Sequence, residues 1–156
     1  MLTDAQKTTL KAYILADAVL GPISSGPATD YNSIMLALNA DSTFIVWKTS
    51  VSPSEWRKAI VAAAVQLDNL TVGKRDALLY VVQDALDATV ASTRTTIDDL
   101  CGTQNTLKAS LLAAQKRKAT VAEKVLSTGT GTDATPGLTT FEGQVSVYDV
   151  AEILTT

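Results

Sequence analysis

Ser52-Pro53-Ser54-Glu55-Trp56-Arg57-Lys58-Ala59-Ile60-Val61-Ala62-Ala63-Ala64-Val65-Gln66-Leu67 is the stretch whose reading decides the fold class of this chain. The Ser52 hydroxyl can accept from the backbone three residues on, Pro53 sits where a missing N–H costs nothing, and Glu55 can reach back to close a capping box. Trp56, Ile60, Ala63, Ala64 and Leu67 then recur at helical spacing, so a helix with these side chains inward is predicted to about Leu67.

Toward the C-terminus the helical pattern continues. Thr71 starts a helix to about Leu86, with Leu78, Leu79, Val82 and Leu86 on its buried side. The unbroken apolar run Leu78–Val82 marks it as the central helix of a bundle. Ala88–Cys101 follows, with Val90, Arg94, Ile97 and Cys101 in helical register and Gly102 as stop. Thr103 caps a helix through Arg117 whose core face is Leu107, Leu111 and Ala114. Thr120 and Glu123 form a second capping box, which opens a short helix to about Leu126.

Toward the N-terminus, Thr43-Phe44-Ile45-Val46-Trp47 is a β-branched and aromatic run. It reads as a short strand or an extended buried connector, and the connector is preferred because no partner strand is evident. Asp30–Asn39 is a short helix with Tyr31, Ile34, Met35 and Leu38 on one stripe. The first helix is expected from Asp4 to Leu20, capped by Thr3 with Gln6. Gly21-Pro22 ends it, and the Gly, Pro and Ser of Gly21–Thr29 read as a loop.

The character changes after Leu126. Eleven of the fourteen residues in Ser127–Thr140, STGTGTDATPGLTT, are Ser, Thr, Gly or Pro, a composition that buries little apolar surface. Thr139–Val145 reads as extended, and Ser146-x-x-Asp149 opens a last helix to Leu154. The expected fold is therefore mainly α: a compact helical bundle over residues 1–127, then residues 128–156 as a flexible Gly/Thr linker and extended C-terminal arm with a short terminal helix.

Composition narrows the chemistry. The 156 residues carry 13 Lys+Arg against 16 Asp+Glu, no histidine and one cysteine, Cys101. Without imidazole there is no Ser-His-Asp or Cys-His nucleophile and no His-ligated zinc. One cysteine forms neither an intrachain disulfide nor an iron–sulfur site. Charged residues make up 19%, against about 25% in ordinary domains, while Ala and Thr number 22 each. Low charge and abundant alanine suit a subunit surrounded by copies of itself, and equally a monomer with an Ala-rich core and a Thr-coated skin. No apolar run approaches the roughly 18 residues that span a bilayer. The N-terminus lacks the basic start and apolar run of a secretory signal, so the expected location is the cytosol or a particle assembled there.

Individual clusters read as structural. Asp98 and Asp99, adjacent on a helix, point about 100° apart, and Asp84, Asp87 and Asp98 are too few and too separated for a metal. Gly129-Thr130-Gly131-Thr132 lacks the lysine of a phosphate loop. Cys101 falls on an apolar stripe as a small hydrophobe. No catalytic, cofactor-binding or metal residue is assigned, and no cofactor is expected. The one patterned feature is charge: residues 103–124 sum to +4 and residues 129–156 to −4. The helix dipole accounts for bases at the end of the helix running to Arg117. The sharper reading has the acidic arm docking on the basic helix of a neighbouring subunit. Contact of this cluster with DNA phosphate is a third reading.

Four stretches carry a resemblance: Met1-Leu2-Thr3 with Leu10–Asp17 and Val19–Pro22; Phe44–Val51; Ala119–Lys124 running into Thr128–Thr132; and Phe141-Glu142-Gly143 before Asp149-Val150. In these the chain resembles a group of small α-helical tailed-bacteriophage virion proteins of the head–tail connector (adaptor, or neck) type. The resemblance implies a structural protein and no enzyme, located in the virion neck and assembled in the host cytoplasm. It implies a homo-oligomeric ring, typically of about twelve subunits, placed between the portal and tail-side neck proteins, with passing DNA in its lumen and no membrane partner. A tail terminator or completion protein, a capsid-associated protein and a DNA-packaging accessory factor are the alternatives. On this reading Lys108, Lys116, Arg117, Lys118 and Lys124 accept Glu142, Asp149 and Glu152 of a neighbour, and Phe141 and Tyr148 are the apolar anchors.

Overall fold

Thr3 opens the first helix by the box its spacing predicts. Its hydroxyl accepts from Gln6 N, and the Gln6 amide oxygen accepts from Thr3 N at 2.8 Å. The structure is a computed structural model that describes residues 1–25 and 29–155. In chain order its elements are α1 (Asp4–Ala16), α2 (Leu20–Ser25), α3 (Tyr31–Asn39), β1 (Asp41–Trp47), α4 (Pro53–Val61), α5 (Ala64–Asp68), α6 (Val72–Val81), α7 (Ala91–Cys101), α8 (Asn105–Ala114), β2 (Lys116–Thr120), α9 (Val121–Val125), β3 (Ser127–Thr128), β4 (Leu138–Thr139) and α10 (Val147–Thr155). The fold is mainly α. Among the described residues no helix is long and apolar enough to cross a membrane.

The chain forms two compact units, and their division differs from the expected one at residue 127. Met1–Val46 and Lys118–Thr156 make the first unit, and Trp47–Arg117 the second. Val145, Val150 and Ile153 of the expected arm are buried in the core of the first unit.

In the first unit α10 packs on α1 and α3, and α9 on the same two helices. Leu10, Ile14, Ile34, Leu38, Val150 and Ile153 are fully buried together. The first helix stops at Ala16 instead of running to Leu20. The Asp17 carboxylate accepts from Leu20 N and Val19 N at 3.0 and 2.9 Å, which holds it below its usual pKa and restarts the chain as α2. Gly21-Pro22 therefore lies inside α2, not at a helix end. Residues 26–28 of the expected loop lie outside the described residues. The Ser146–Asp149 box that opens α10 and the Thr120–Glu123 box that opens α9 both form as read.

Thr43–Trp47 belongs to a strand. β1 pairs with β2, and Val121 N donates to Ala40 O at 2.9 Å where the strands meet. The partner was hidden because Lys116-Arg117-Lys118 reads as a helix end, whereas α8 stops at Ala114. The Gly/Thr stretch closes on the other edge of β1: Ile45 N donates to Gly131 O and Gly137 N to Ile45 O, each at 2.8 Å. Its glycines admit the Phe44 ring. A Cβ at Gly131, whose φ is +63°, would overlap that ring, and one at Gly137 would stand 2.5 Å from it.

The second unit is built on α4 against α8, with α7 on α6 and α8. Ser52 and Glu55 form their capping box, but the helix breaks after Val61 and resumes as α5, which leaves Ala64 exposed. Trp56, Leu78, Cys101, Leu107 and Leu111 are fully buried. The run Leu78–Val82 is not a central helix: Leu78 and Val82 face inward, whereas Leu79 is 38% and Tyr80 75% exposed. Thr103 does not cap α8. The Gln66 amide oxygen of α5 accepts from Thr106 N and Leu107 N at 2.7 and 3.0 Å, so a distant side chain satisfies those helix-start donors.

Candidate functional site

Of the charged residues expected to meet across a subunit boundary, Lys108, Lys116, Asp149 and Glu152 have partners within their own unit. The Lys7 ammonium, 8% exposed, donates to Glu152 Oε1 at 2.6 Å, and Asp4 stands 3.5 Å away. The hydrogen bond from Lys7 to Glu152 outweighs the cost of burial and raises the Lys7 pKa above its usual value. Partial burial pushes the Asp149 carboxyl up, but Ser146 donates to it from both N and Oγ, and the N-terminal ammonium and Lys7 add to the opposing pull. Asp149 ends below its ordinary value. Glu142 is exposed beside Phe141 in sequence.

On the basic side, Lys108 forms an ion pair with Asp98, each half-exposed. Lys116 is half-buried with its ammonium 5.8 Å from the Trp47 ring centroid. Arg94 covers the same indole at 4.5 Å while its guanidinium donates to Ala88 O and Thr89 O at 2.6 and 2.8 Å. Arg117 is half-buried, and Lys118 and Lys124 are exposed. Lys116, Arg117 and Lys118 stand on β2 rather than at a helix C-terminus, so no helix dipole explains them. The expected anchors separate: Phe141 packs on the core of the first unit, and Tyr148 is 87% exposed.

Among the described residues no group of three or more Cys, Asp or Glu is placed to hold a metal ion. Cys101 is buried, and that burial pushes its thiol pKa up, away from the reactive thiolate.

What stands out is apolar side chains turned to solvent. In the first unit a groove of about 620 Å³ runs between the end of α3 and the start of α10, lined by Met35, Leu36, Asn39, Val145, Val147 and Tyr148 among others. Its floor is fixed by Asn39, whose amide donates to Val145 O and accepts from Val145 N, both at 2.8 Å. Leu36 is 65% exposed at its rim. In the second unit two adjoining clefts of about 380 and 350 Å³ share Val61. Val61, Val65 and Tyr80 are each at least 75% exposed there or beside it. Surface apolar residues that gather rather than scatter mark binding surfaces.

The chain matches no family model, no curated protein and no solved structure.

Sequence reasoning named Tyr148 but missed Leu36, Val61 and Val65. A signal for Leu36 existed. Ile34 and Leu38 define the buried stripe of α3, and Leu36 lies between them on the other side. Val61 and Val65 carried the same signal, four residues apart and off the inward stripe of Trp56, Ile60, Ala63 and Leu67.

Proposed function

We propose that this chain is a structural subunit of a tailed-phage virion, a head–tail connector that packs side by side in a ring at the neck between portal and tail. The observation that carries the reading is the pair of exposed apolar faces, one in each unit, on a chain without histidine. Such faces cost solvation in a free monomer and are relieved by packing against protein. The resemblance gives the station. Its residues fall almost wholly in the first unit: Leu10–Asp17 in and after α1, Phe44–Val46 in β1, Ala119–Lys124 at the end of β2 and in α9, and Asp149-Val150 in α10. The mainly helical fold favours a connector over a tail terminator, which is more often β-rich.

The test is presence in the particle. Peptides of this chain in purified virions, with an antibody label at the neck in negative-stain images, are the expected result. Absence of the chain from purified virions overturns the proposal. Affinity for duplex DNA that falls steeply with salt would redirect the reading to a packaging factor.

A further inference from the structure

We draw no further inference here: the strongest candidate, the apolar groove between α3 and α10 with exposed Leu36 and Tyr148 along it, carries none, because nothing in the structure shows what covers it.

Discussion

Lys7 in α1 and Glu152 in α10 meet at 2.6 Å, and that contact joins the first helix of the chain to the last. The two sides are unequal: the Lys7 side chain is 8% exposed and that of Glu152 is 54% exposed. Removing the carboxylate leaves a nearly buried cation with Asp4 at 3.5 Å and the field of Asp149. Removing the cation leaves a carboxylate that water can solvate. Glu152→Gln should therefore lower the urea midpoint more than Lys7→Met, and equal losses would refute the asymmetry. The folded-state pKa of Lys7 is raised, so its contribution is complete below its ordinary value of 10.5 and disappears as pH rises through the higher folded value.

A chain ending at Ser127 should not keep the first unit folded. The truncation removes Val145, Val150 and Ile153 from the core along with Glu152. The single substitution Ile153→Ala should already cost about 2–5 kcal/mol in chemical denaturation. A cost below about 1 kcal/mol would mean that α10 contributes little to that core.

Gly131→Ala should destabilise the protein by roughly 2 kcal/mol or more, through both the positive φ and the overlap with Phe44. Trimming the ring with Phe44→Ala removes only the overlap. In the double variant the two losses should add to less than their sum, and strict additivity would show that residues 44 and 131 do not press on each other.

Glu55 supplies the clearest pH dependence. Its carboxylate accepts from Lys48 Nζ at 2.6 Å and from Ser52 N and Oγ at 2.8 Å each, and these bonds outweigh partial burial to bring its pKa down from 4.5 to about 2. A lowered folded value means stability that is present above 4.5 and lost as pH falls from there through about 2. Glu55→Gln should flatten that part of the acid limb, measured as urea midpoint against pH. An unchanged limb would assign the acid sensitivity to other carboxyls.

Arg94→Ala should cost about 1–3 kcal/mol, by loss of the cation over Trp47 and of two hydrogen bonds to carbonyls. Arg94→Lys should recover part of that, since an ammonium keeps the charge and can donate but lacks the planar guanidinium face over the indole. Trp47 emission should shift in both variants, whereas Trp56, fully buried, should report no change.

The division between what is local and what is not runs through every element. Thr3, Ser52, Thr120 and Ser146 each cap a helix in a box with the side chain three residues on, and all four were legible because both partners lie within one turn of chain. So were the mainly helical class and the inward stripes of Ile34 and Leu38 or Leu107 and Leu111. Partners far apart in the chain were not legible. Gln66 capping α8, Asn39 gripping Val145 and Lys7 holding Glu152 span 41, 106 and 145 positions, and no pattern in composition or spacing encodes such a pairing. The Gly/Thr stretch shows the same limit. Its composition predicts mobility because it has little apolar surface of its own, yet its glycines are what let Phe44 and β1 approach its backbone. By itself the sequence determined which segments coil and which chemistries are excluded, since these depend on neighbours in the chain and on residue types present. The tertiary structure alone decided that Val145, Val150 and Ile153 of the acidic C-terminal segment belong to a core and that Tyr148 faces water, because burial is settled by which distant segments happen to cover a side chain.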